Sequence, residues 1–148
     1  MRLRLRLNRE TEESVKEELK RKDIEISEDA DLILTEENYY DERLFCKDEQ
    51  GTVIVPLSEI CHIESLGHDV YVYTMDRKYK TELRIYQLSS LLPPDQFIRI
   101  SNSVIIQRNS IYRIRPGLSC KFFVTLKDGA SVDVTRTYYY KFKEFYGI

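Results

Sequence analysis

Three cysteines, two histidines and several paired carboxylates are the residues from which this sequence could build reactive chemistry. Nucleophilic catalysis needs a thiol or hydroxyl beside a base that a third group holds in place. Cys61 directly precedes His62, but neighbouring side chains of an extended segment point to opposite faces, so the two cannot share a hydrogen bond. Cys46, Cys61 and Cys120 are widely spaced and form no Cys-x-x-Cys pair, so reduced thiols and no structural metal are expected. The carboxylate pairs Glu36-Glu37 and Asp48-Glu49 lie in hydrophilic, turn-like stretches that solvate charge rather than tune an acid against a base. The sequence contains no Gly-rich phosphate loop, no His-Glu-x-x-His and no Gly-x-Ser-x-Gly elbow. Catalysis and a cofactor are therefore not expected.

Binding is the remaining chemistry, and three polar residues fall where strands should turn. His68 lies in Gly67-His68-Asp69, Asn102 in the polar break Ser101-Asn102-Ser103 within an apolar run, and Arg136 just after the segment Val132 to Val134. Asparagine and arginine hydrogen-bond base edges, Asn to adenine and Arg to guanine. Charge is split along the chain: residues 1 to 41 carry 8 basic and 13 acidic side chains, whereas residues 99 to 148 carry 9 and 3. A cationic C-terminal third attached to an acidic segment suits a polyanion partner better than the net charge of -2 suggests.

The chain must place these residues within 148 positions, about one domain and a short appendage. With 42% apolar and 32% charged residues it should fold, and no apolar run is long enough to span a membrane or act as a signal peptide, which points to the cytoplasm. Leu3, Leu5 and Leu7 alternate with arginines as in an edge strand, and Thr11 to Lys22 reads as a helix capped at Thr11. Ile24 with Ile26, and Leu32 to Leu34, complete a small acidic strand-helix-strand unit over residues 1–41, too small to be stable alone. From residue 42 strands dominate: 44–47, 52–56, 60–64, 70–75, 79–83, 97–100, 104–106, 111–114, 120–126 and 132–134. A helix is expected at Ile85 to Leu91, stopped by Pro93-Pro94, and another at Thr137 to Tyr146. Strands at such short intervals describe a sandwich or barrel.

Three motifs in order over residues 53–146 narrow this. The stretch Leu57 to Thr74, the segment Phe97-Ile98-Arg99-Ile100-Ser101-Asn102-Ser103-Val104-Ile105-Ile106, and Leu126-Lys127-Asp128-Gly129 followed by Val132 to Tyr138 together resemble the LytTR-type DNA-binding domain of bacterial transcription regulators. The resemblance implies a mainly β, elongated domain over residues 42–148 with one short internal helix. It further implies sequence-specific binding of double-stranded DNA through loops laid into successive major grooves, with His68, Asn102 and Arg136 at the bases. Lys80, Arg99, Arg108 and Lys141 are the candidates for phosphate contacts. A phosphorylatable receiver domain needs more chain than residues 1–41 offer, so that unit is expected to pack on the β domain, pair two chains, or meet a separate regulatory partner. The alternative function is a protein-interaction module that uses the tyrosine-rich C-terminus.

Overall fold

The computed structural model describes residues 1–36 and 42–148, so Glu37 and the expected boundary after residue 41 lie outside the described residues. The chain divides into two compact units, residues 1–40 and residues 41–148. The first runs β1 (Arg2–Arg6), α1 (Arg9–Arg21), β2 (Glu25–Ile26) and β3 (Leu32–Thr35), with both later strands parallel to β1 in the order β2-β1-β3. β1 is therefore the central strand, not the edge its arginines suggest. A strand that continues into a helix returns parallel to itself, and here the chain returns on both sides. The arginines are accommodated locally: Arg2 bonds Ser27 and Asp29, and Arg4 donates to the carbonyl of Glu28. Leu5, Leu19 and Ala30 are buried, while Leu32 and Ile33 stay 54% and 49% exposed, so the unit's core is thin.

The helix also begins earlier than Thr11. Asn8 is its N-cap residue, and the carboxylate of Glu36, arriving at the end of β3, accepts from the Asn8 backbone N–H and from Asn8 Nδ2, both at 2.9 Å. A negative group at a helix N-terminus satisfies orphan N–H donors and opposes the helix dipole. Hydrogen bonds from the Thr11 hydroxyl and the Asn8 backbone hold the Glu36 carboxyl below the usual carboxylate range.

The second unit is mainly β. β4 (Arg43–Asp48), β5 (Gly51–Pro56), β6 (His62–Leu66), β7 (Asp69–Tyr73), β8 (Lys78–Thr81), β9 (Phe97–Arg99) and β10 (Val104–Gln107) form an antiparallel sheet in the order β5-β4-β8-β7-β6-β10-β9. α2 (Ile85–Leu91) is the short helix between its strands, ending before Pro93 as expected. β11 (Ile111–Gly117), β12 (Lys121–Leu126) and β13 (Ser131–Val134) form a second antiparallel sheet, and α3 (Tyr139–Tyr146) closes the chain.

Strand alternation distributes β10 between two cores. Ile105 packs with Ile63, Val70, Val72, Leu88 and Phe97, on the side of α2. Val104 and Ile106 point the other way, to Phe122, Val124, Val134 and the fully buried Phe142 of α3. The short apolar runs are thus buried on both faces, which is why they lack a clean polar alternation.

Several boundaries differ from the sequence reading. The strand expected from Ile60 starts at His62, because a 3-10 turn at Leu57–Glu59 follows Pro56 and delivers Ile60 to the core instead. Cys120 belongs to the β11–β12 turn, where it and Ser119 take positive φ of 56° and 60°, and β12 begins one residue later. Asp48 pairs with Gly51, so the first hairpin turns on Glu49-Gln50 alone. The terminal helix opens with a 3-10 turn at Arg136–Tyr138.

One polar side chain is committed to the second core. His62 lies opposite both Ile106 and Tyr73, stacks on the Tyr73 ring at 4.3 Å, and is 2% exposed. Its Nδ1 lies 3.5 Å from Asp128 Oδ2 and has no hydrogen-bond partner among the described residues. Burial lowers its pKa from the ordinary value near 6.5, and the Asp128 carboxylate opposes this less strongly. The unfolded chain therefore binds the proton more readily, so this histidine's stabilising contribution is lost as pH falls from about 6.5 toward the folded-state value. His62→Phe, which keeps a stacking ring, should flatten the fall in thermal midpoint between roughly pH 7 and 5. An unchanged slope in the variant would assign that pH dependence to other groups.

Candidate nucleic-acid interface

The loop bearing Asn102 is built by its neighbours. Ile100 N–H donates to Val104 O at 2.9 Å and Ser103 N–H to Ser101 Oγ at 3.2 Å, folding Ser101-Asn102-Ser103 into a tight reversal between β9 and β10. Arg99 secures it from beneath: its Nε donates to Ser101 O at 3.1 Å and its Nη2 to Asn102 O at 2.6 Å. The carbonyls of this polar loop are thereby satisfied while the Asn102 side chain stays exposed.

The segment after β13 comes to the same loop. Thr135 N–H donates to Ile100 O at 3.0 Å, and the Tyr138 hydroxyl donates to Asn102 Oδ1 at 3.3 Å. The Arg99 guanidinium lies 5.8 Å from the centre of the Tyr138 ring. Arg136, two residues before Tyr138, is exposed at the start of the 3-10 turn, and its guanidinium makes no hydrogen bond or ion pair among the described residues. Lys141 follows on α3 and borders, with Arg99 and Tyr138, a hollow floored by Phe97 and Ile105.

The third loop lies at the same end of the sheet. The register Val104↔Glu64, together with Ser65 N–H donating to Ser103 O at 2.8 Å, sets the β6–β7 turn beside the Asn102 loop. Leu66 pairs with Asp69, so the turn is Gly67-His68, and Gly67 takes a φ of 63° that a side chain would strain. Arg84, the N-cap residue of α2, holds the turn by donating Nη1 to His68 O at 2.7 Å, leaving the imidazole exposed. His68, Asn102, Arg136, Arg99 and Lys141 thus belong to one strip of connected backbone.

The other two candidates stand apart from these contacts. Lys80 on β8 lies opposite Tyr71, with its Nζ 3.6 Å from Asp69 Oδ2. Arg108 follows the far end of β10, where it donates Nη1 to Asp95 O at 3.3 Å and Nη2 to Phe145 O at 3.0 Å and stacks over the Phe145 ring. Its own carbonyl accepts from the Tyr146 hydroxyl at 2.9 Å, so it ties α3 to the sheet.

Sequence reasoning passed over Tyr138 and Arg84. Tyr138 had a signal, since it stands two residues from Arg136, but nothing in the sequence shows that it meets a loop 36 residues earlier. The tyrosine-rich end is largely consumed by packing: Tyr139 stacks on Phe122, Tyr146 packs on Phe142, and Tyr140 remains 70% exposed. The Cys46 and Cys61 thiols are unsuited to attack, because burial pushes Cys46 up to about 11 and, with the Asp128 charge, raises Cys61. Among the described residues no cluster of metal-ligating side chains occurs, and no helix is long and apolar enough to cross a membrane.

The chain is similar to known proteins. Sensory transduction protein LytT of Bacillus subtilis (strain 168) is 27% identical over 110 residues, 73% of this chain and 46% of that protein. Transcriptional regulatory protein YpdB of Escherichia coli (strain K12) is 32% identical over 100 residues, 67% of this chain and 39% of that protein. The chain therefore aligns with less than half the length of either relative. A solved LytTr DNA-binding domain from Bacillus cereus matches with a TM-score of 0.69 at 26% identity, covering 73% of this chain and 99% of that one. The family model described as the LytTr DNA-binding domain matches residues 50–147, and with that match the chain belongs to the LytTr DNA-binding domain family.

Proposed function

We propose that the chain regulates transcription by binding double-stranded DNA at specific sequences, with the Gly67-His68 turn, the Asn102 loop and the segment at Arg136 entering successive major grooves. The observation that carries this reading is the joining of the Asn102 loop to the segment after β13 by the Thr135–Ile100 and Tyr138–Asn102 hydrogen bonds, beside the exposed Arg136. His68 and Arg136 present side chains with no partner among the described residues, Asn102 presents its Nδ2, and all three are assigned to bases. Lys80, Arg99, Arg108 and Lys141 are assigned to phosphates, Arg99 and Arg108 through the N–H groups that their carbonyl partners leave free. The acidic unit of residues 1–40 is given the other task, pairing two copies on repeated sites or meeting a regulatory protein.

Salt provides the test. Six or so phosphate contacts should make duplex affinity fall about a thousandfold between 50 and 200 mM salt. No duplex binding even at low salt would sink the reading in favour of a protein-interaction module. Within it, Lys141→Ala should weaken every sequence about equally and reduce the salt slope by roughly one phosphate contact, measured by titration of matched and mismatched duplexes.

A second expectation concerns the acidic unit. A chain beginning at Asp41 should keep its β fold and its sequence preference, because both cores and all three loops lie beyond that point. A folded, shortened chain that no longer discriminates sequences would show that residues 1–40 shape the reading surface.

A further inference from the structure

Among the described residues, Asn102 is the one base-reading candidate whose side chain has a side-chain partner. Its Oδ1 accepts from the Tyr138 hydroxyl at 3.3 Å, whereas its backbone is fixed by Arg99 through the carbonyls of Ser101 and Asn102. Tyr138 is itself restrained: it packs partly against the second core, and the Arg99 guanidinium lies over its ring. One arginine therefore holds both members of the pair.

An asparagine amide that is free to rotate offers either its oxygen or its nitrogen to a base. Here the oxygen accepts from Tyr138, and the two N–H groups of Nδ2 have no partner among the described residues. We propose that Tyr138 is a positioning residue for base recognition, its hydroxyl orienting the Asn102 amide so that this loop presents a hydrogen-bond donor to the major groove. The inference rests on the assignment of Asn102 to a base. It specifies the kind of edge read: an acceptor such as guanine O6 and N7, adenine N7 or thymine O4, and not the N4 amino group of cytosine.

The test uses the full chain and duplexes selected by it from a random pool. Asn102→Ala locates the base pair that Asn102 reads, as the one position where discrimination is lost. At that position the unmodified chain should prefer an acceptor-presenting base over cytosine by about tenfold. Tyr138→Phe, which keeps the ring under Arg99, should flatten that preference to within about twofold, leaving discrimination elsewhere, the salt slope and the thermal midpoint unchanged. Arg99→Lys, which keeps the charge but not the fork that grips two carbonyls, should flatten the same position in part. Full discrimination in Tyr138→Phe, a uniform loss at all positions, or a preference for cytosine would overturn the role of Tyr138, while a localised effect of Asn102→Ala would keep the recognition reading standing. A chain that selects no sequence at all would take down both.

Discussion

Phe97→Ala should destabilise the second unit by about 3 to 5 kcal/mol, the usual cost of emptying a buried phenylalanine site. Phe97 is 5% exposed and packs in the first core with Ile63, Val72, Leu88, Leu92 and Ile105, elements of strand and helix that cannot all move inward to fill the space. It also opens β9, two residues before Arg99, and lines the hollow beside Tyr138. Loss of the ring therefore loosens the strand that supports the Asn102 loop as well as the core. Thermal unfolding should show a midpoint lowered by roughly 15 to 20 °C. Tyr112→Ala, at a site 68% exposed, should change stability by no more than about 0.5 kcal/mol and serves as the comparison. A Phe97→Ala chain with an unchanged midpoint and lost DNA binding would show that Phe97 acts in recognition and not in the core.

The alternation rule explains why that core could be read in advance. Ile63, Val70 and Val72 follow strand periodicity there, as Val134 does in the second core, and each is 3% exposed or less. The turns and the short helix carry their own local signals, Gly67 with His68, Lys127-Asp128-Gly129, and Pro93-Pro94 after Leu91. What the sequence hides is set by pairing across the fold. Nothing local places Glu36 at the start of a helix that begins at Arg9, or puts β1 between two parallel strands. Arg99 and Arg108 look alike as surface cations, yet one organises the Asn102 loop and the other ties α3 down at the opposite end of β10. Residue type and spacing pick out cations and loops. The hydrogen bonds that decide each cation's task come from register, and register is fixed only when both cores have formed.

Arg136→Lys should lose about 1 to 3 kcal/mol of discrimination at one base pair while keeping most non-specific affinity. The guanidinium is a planar fork that can meet guanine O6 and N7 together, and lysine supplies the same charge without the fork. The structure leaves that fork unused within the protein: Arg136 is exposed and has no hydrogen bond or ion pair among the described residues, unlike Arg99 and Arg108. Its backbone is nevertheless anchored, because Thr135 N–H donates to Ile100 O and the following 3-10 turn leads into α3, whose Phe142 is fully buried. A free, planar side chain on a fixed base is suited to reading an edge, since little backbone ordering remains to be lost on binding. Titration of the unmodified chain and Arg136→Lys against a selected duplex and its single-base mismatches decides the matter. Equal weakening of matched and mismatched DNA would make Arg136 a phosphate contact, whereas loss confined to one guanine-bearing position is the outcome expected of a base-reading arginine.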